Sequence, residues 1–167
     1  MNQNDFYVKL NINSTVSQLI LDKVKNSPDT RWHSILDQSL HRLTIDDFKD
    51  DSNISKIIND LGAHNRLSVM RLFPNVSSVW HQDKVRSAAI NMLLDGFDSF
   101  CAFGESTSSY TYSNVHKLEH EPNRYYLLDV KKSHSVYNFT GMRYLVSIGL
   151  EQPYYEVVGY LNNHQFI

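Results

Sequence analysis

Ser87-Ala88-Ala89-Ile90-Asn91-Met92-Leu93-Leu94 runs into Asp95-Gly96 and resumes as Ser99-Phe100-Cys101-Ala102-Phe103. Each piece is short, apolar and bounded by residues that turn the chain, which is how the strands of an antiparallel sheet read. The same texture recurs at residues 66–73, 109–113, 124–130, 135–139, 142–150 and 154–161, separated by Pro74, Gly104, Pro122, Thr140-Gly141 and Pro153. About eight strands at this spacing predict an all-β sandwich or barrel. Upstream, residues 6–11 alternate as a strand would. Ser14-Thr15-Val16-Ser17 opens a helix with Val16, Leu19, Ile20 and Val24 on one stripe, ending near Asn26-Ser27-Pro28. Residues 32–50 show no clear period. Residues 54–61, with Ile57 and Ile58, form a short helix that Gly62 stops. The expectation is one domain over 1–167, mainly β (α+β). A helical N-terminal part (about 1–63) packs on one outer face of a jelly roll (about 64–161). The strand–helix alternation of a parallel α/β fold is missing.

Composition narrows the partners. The chain has 167 residues, 41% hydrophobic and 20% charged, so it can bury a real core. A net charge of −2, with no basic cluster beyond Lys131-Lys132, speaks against a nucleic-acid-binding surface. The single cysteine, Cys101, permits no internal disulfide and sits between Phe100 and Ala102 as a small buried hydrophobe would. That cysteine usage and the polar start Met1-Asn2-Gln3-Asn4-Asp5 predict a cytoplasmic protein. No apolar run approaches the roughly 18 residues that span a bilayer, so no membrane partner is expected.

Three residues separate the first run from His81-Gln82-Asp83, with His134 far downstream and Arg143 nine residues after it. In a strand, residues i and i+2 project from the same face, so His81 and Asp83 can grip one ion. A histidine from a neighbouring strand completes the facial triad that holds non-haem Fe(II) and leaves positions open. Arg143 shares a strand face with Leu145, Ser147 and Gly149, whereas Met142, Tyr144, Val146, Ile148 and Leu150 form a wholly apolar opposite face. An arginine and a serine on a buried strand are costly without a partner, and a bound carboxylate meets guanidinium in a two-pronged fork.

Trp80-His81-Gln82-Asp83 through Asn91-Met92-Leu93-Leu94, with His134-Ser135-Val136-Tyr137-Asn138 and Arg143, resembles the 2-oxoglutarate- and Fe(II)-dependent dioxygenases. It is most similar to the aspartyl/asparaginyl β-hydroxylase-like branch, over roughly residues 64–150. The resemblance implies a double-stranded β-helix, the cupin-like jelly roll. It implies Fe(II) held by His81, Asp83 and His134, and 2-oxoglutarate anchored by Arg143 with Ser147 and Asn91 as further contacts. Trp80, Arg86, Tyr110 and Tyr112 are then candidates for the substrate side. The implied reaction consumes O2 and couples decarboxylation of 2-oxoglutarate, to succinate and CO2, with C–H oxidation of an amino acid, a peptidyl side chain or a small metabolite. Short loops at Asp95-Gly96 and 104–109 fit an open mouth and a peptide or protein substrate. Members of that branch can lack the carboxylate ligand. Asp83 supplies it here, which favours hydroxylation over halogenation.

Rival readings stand beside this one. A cupin-type metal-dependent isomerase or ligand-binding jelly roll would use the same triad without Arg143. His116-Lys117-Leu118-Glu119-His120 matches the H-x-x-E-H pattern of inverted zinc peptidases, but that motif needs a helix, and strand-like sequence precedes it while Pro122 follows. A nucleic-acid demethylase lacks its basic stripe here, and residues 142–150 hold one arginine where the DNA-repair demethylases carry two. His33, His41, His64 and His164 have no partner at metal spacing. Tyr154, Tyr155 and Tyr160 read as strand residues closing the sheet.

Overall fold

The apolar runs form antiparallel strands in the computed structural model, which describes residues 5–35, 38–108 and 111–167. In chain order the elements are β1 (Tyr7–Asn13), α1 (Ser17–Lys25), β2 (Trp32–Ile35), β3 (Gln38–Arg42), α2 (Ser52–Asp60), β4 (Leu67–Leu72) and β5 (Val76–Ser77). They continue as β6 (Ala88–Asp95), β7 (Ser99–Ser106), β8 (Tyr112–Leu118), β9 (Arg124–Leu128), β10 (Ser133–Asn138), β11 (Arg143–Leu150) and α3 (Tyr154–Asn163). Seven strands make one sheet in the order β1-β9-β6-β11-β4-β3-β2, and four make a second, β5-β10-β7-β8. The two sheets face each other as the open sandwich of a jelly roll.

Two apolar clusters hold these layers. One lies between the outer face of the seven-stranded sheet and the helices: Ile20 and Val24 of α1, Ile54, Ile57 and Ile58 of α2, and Val157 and Leu161 of α3 meet Ile90, Met92, Val146 and Ile148. The other lies between the sheets, where Ala89, Tyr126 and Leu128 meet Cys101, Phe103 and Leu118. Strand alternation divides β11 accordingly. Tyr144, Val146, Ile148 and Leu150 belong to the helix side, and Arg143, Leu145, Ser147 and Gly149 turn toward the second sheet. All eight residues of β11 are buried.

Three expectations need correction. Residues 154–161 are helix, not strand. Tyr154, Val157 and Leu161 are buried at helical spacing and Tyr155 is exposed, so the three-to-four residue period overrides the strand-like composition. The N-terminal part is not only helical: besides β1, residues 32–42 fold into the hairpin β2–β3, which extends the large sheet through pairing of β3 with β4. On α1 the buried face is rotated, with Leu21 replacing Leu19, which is 59% exposed. Gly62 does end α2, at φ +65°, after Asp51 caps its start by accepting from the Ile54 amide. Tyr110 lies outside the described residues. Among the described residues no helix is long and apolar enough to cross a membrane.

Candidate metal centre

His81 and His134 are brought together by backbone pairing. β5 runs antiparallel to β10 with Ser77 opposite Tyr137. Further along, His81 and His134 form a β-bridge whose two amide–carbonyl bonds are each 2.9 Å. Four steps on one strand thus match three on the other, and the extra residue makes a bulge. The bulge aims the His81 ring at the His134 ring, with centroids 4.3 Å apart. Asp83 follows two residues on, its amide donating to Val130 O at 2.8 Å.

The ring nitrogens are already assigned to tasks. His81 Nδ1 lies 2.8 Å from Val79 O and His134 Nδ1 lies 2.9 Å from Lys132 O. A carbonyl only accepts, so each Nδ1 carries the proton and each Nε2 keeps its lone pair for a metal. Burial pushes the His134 imidazole down to about 4, which keeps it neutral. Asp83 Oδ1 lies 3.6 Å from His81 Nε2, and the donor atoms of His81, Asp83 and His134 all fall within 4.8 Å of one another. His134 is buried, Asp83 nearly so, and His81 opens to solvent, so the site sits at the mouth between the sheets. Two histidines and one carboxylate are the donor set of non-haem Fe(II).

Arg86 was expected on the substrate side. Its Nε donates to Asp83 Oδ2, and its Nη1 donates to Ser147 Oγ at 2.6 Å. Oδ2 is thereby held while Oδ1 faces the histidines. The stem of Arg86 crosses Gly149, where an added Cβ would stand 3.3 Å from Arg86 Cδ. Lys131 Nζ donates to Asp83 O at 2.9 Å and Lys84 O at 3.2 Å, tying down the loop after the ligand.

Arg143 lies four residues before Ser147 on the same face of β11 and is 3% exposed. Its Nε donates to Ser99 Oγ at 3.1 Å, and its Nη2 has no partner. Burial pushes the guanidinium down to about 10, with Cys101 opposing the shift. A buried donor left unpaired costs about 1–3 kcal/mol, and more when charged. Asn91, opposite Ser147 on β6, also buries an unpartnered oxygen, Oδ1. The inter-sheet interior therefore holds a cation and an amide that the folded chain leaves unsatisfied.

Gly96 makes room for Arg143. A Cβ there would stand 2.6 Å from Arg143 Cα, and its φ of +83° suits glycine.

Trp80 and Tyr112 come together elsewhere. Their rings stack at 4.1 Å, Trp80 Nε1 donates to Tyr137 Oη at 3.2 Å, and the indole lies over Gly104. That is the face of β7 and β10 opposite to Phe103 and His134. His116 to Leu118 belong to β8, and Glu119 and His120 follow it in irregular backbone, so the H-x-x-E-H match is not on a helix. Ser99 and Lys131 carry no local signal of these roles, because each meets the site through a segment distant along the chain.

No protein-family model and no curated protein matches the chain. Solved structures do match in fold. A Pseudomonas putida prolyl-4-hydroxylase aligns with TM-score 0.63 at 9% identity, covering 87% of this chain and 92% of its own. A Trichoplax adhaerens prolyl hydroxylase, solved with a hypoxia-inducible-factor peptide, aligns at 0.60 and 14% identity, covering 87% and 83%. Streptomyces hygroscopicus HygX, solved with nickel and 2-oxoglutarate bound, aligns at 0.60 and 8% identity, covering 88% and 82%. The chain therefore has the jelly-roll fold of these oxygenases over nearly its full described length.

Proposed function

We propose that the protein is an Fe(II)- and 2-oxoglutarate-dependent oxygenase acting as a hydroxylase. One observation carries this reading: His81, Asp83 and His134 present three metal donors at the mouth of a sandwich that also buries the unpaired guanidinium of Arg143. A metal-binding jelly roll of another kind needs no buried cation. A diacid co-substrate does, since one end can chelate the metal while the other pairs with Arg143.

His81 Nε2, Asp83 Oδ1 and His134 Nε2 would hold the iron, and Arg86 keeps Asp83 turned so that only Oδ1 faces it. Fe(II) bound there would supply the O2 chemistry that couples decarboxylation of 2-oxoglutarate, to succinate and CO2, with oxidation of a substrate C–H bond. Arg143 binds and orients the distal carboxylate. Phe103, Leu93 and Leu145, all buried, keep the interior dry, which strengthens that ion pair.

The substrate class we favour is an amino acid, a peptidyl Asp, Asn or Pro side chain, or a small metabolite. Neighbours of this fold carry either kind, a peptide in one and hygromycin B in another. Placement beside the aspartyl/asparaginyl β-hydroxylase branch rests on the segments around His81, Asn91 and His134 alone.

The test is anaerobic. Fe(II) followed by 2-oxoglutarate should produce the visible charge-transfer band of a chelated keto acid in wild type. His134→Ala should abolish it and Arg143→Ala should weaken it. Iron bound without any band would replace this reading with the cupin-type one, and no iron at all would remove the metal site.

A further inference from the structure

Among the described residues, His120 has both ring nitrogens buried without a partner. It follows β8, whose Leu118 pairs with Cys101 of β7. Extending that register by two residues brings His120 level with Ser99, the hydroxyl that accepts from Arg143 Nε. Burial, and after it the nearby Arg143 charge, hold the His120 imidazole down at about 3, hence neutral. From the other side, the His120 ring meets Tyr126 edge-on at 5.1 Å, and Tyr126 pairs with Asn91 across β9 and β6. His120 at 7% exposure and Arg143 at 3% thus each bury a nitrogen that is unsatisfied, on two segments that Ser99 joins.

These groups do not satisfy one another. Arg143 Nη2 and the N–H of a neutral His120 are both donors, and neither meets an acceptor within the fold. Buried polar groups in folded proteins are paired, so the missing partner is a ligand that accepts hydrogen bonds from both a cation and a neutral donor. We infer that His120 is a binding residue for the distal carboxylate of the co-substrate, donating an N–H to one oxygen while Arg143 pairs with the carboxylate. This inference rests on the function proposed above. It makes the far end of the site selective for a diacid: a 2-oxo acid without that carboxylate leaves both groups unpaired.

Nickel-loaded protein, which does not turn over, can be titrated calorimetrically with 2-oxoglutarate and separately with 2-oxobutyrate. A hydrogen bond to a charged group is strong, so His120→Leu should weaken 2-oxoglutarate binding by about 10–100-fold. His120→Asn, which keeps a donor, should recover part of that loss. Nickel affinity and 2-oxobutyrate affinity should be unchanged in both variants. Equal weakening of the two keto acids would mean that His120 only packs, and unchanged 2-oxoglutarate binding would overturn the inference while leaving the proposed function intact. Wild type that binds nickel but no 2-oxoglutarate would overturn the function itself. An imidazole 15N–1H spectrum of wild type provides a readout free of variants: 2-oxoglutarate should shift the His120 resonances, and an unmoved set would refute the contact.

Discussion

Replacing Arg143 with methionine should make the metal-free protein more stable, not less. Burial lowers the guanidinium to about 10, which corresponds to roughly 3 kcal/mol of unfavourable charge burial. Methionine fills the space of the arginine stem with no charge to desolvate. The variant loses the bond from Nε to Ser99 Oγ, worth about 1 kcal/mol. The balance is roughly 2 kcal/mol in favour of the variant, or about 4–8 °C in Tm for a chain of this size. Urea unfolding of the metal-free proteins measures the first figure, and thermal melts measure the second. Nickel should then raise the Tm of both proteins, since both keep His81, Asp83 and His134, and 2-oxoglutarate added after it should raise the wild type well beyond Arg143→Met, because only the wild type gains a partner for its cation. An apo variant less stable than wild type would refute the reasoning, since Arg143 would then have a structural partner within the fold.

Arg86→Leu should reduce metal affinity by about 10–100-fold, because Asp83 loses the group that holds Oδ2; an unchanged Mn(II) titration would contradict this. Gly96→Ala should destabilise by about 2–4 kcal/mol in denaturant unfolding, since it combines a positive φ with a 2.6 Å approach to Arg143 Cα. Stability of the apo protein should depend on His120 in acid. The folded imidazole sits at about 3, below its ordinary 6.5, so the unfolded chain takes up the proton first. The contribution is complete above pH 6.5 and is lost as pH falls toward 3, at up to about 1.4 kcal/mol per unit. His120→Gln should flatten that slope, and an unaltered profile between pH 6 and 4 would count against the buried neutral imidazole.

Sequence alone was enough for the strand runs, the turns that separate them and the two faces of β11, because alternation and turn chemistry are properties of neighbouring residues. The grouping of His81, Asp83 and His134 was legible from the His-x-Asp spacing and a distant histidine, although the pair stands on a bridge and the loop after it rather than in a strand. Composition misled where it imitated the wrong period, as in α3, whose aromatic and β-branched residues read as strand although Tyr154, Val157 and Leu161 are spaced for a helix. Residues 32–42 were unreadable because the hairpin β2–β3 owes its place to pairing with β4. The environment of the site was decided by tertiary structure. The bulge before His81, the span of Arg86 from Asp83 to Ser147, and the bond from Arg143 to Ser99 all join segments tens of residues apart. Whether a polar atom is satisfied depends on what packs against it, and for these groups that is a strand or loop far along the chain.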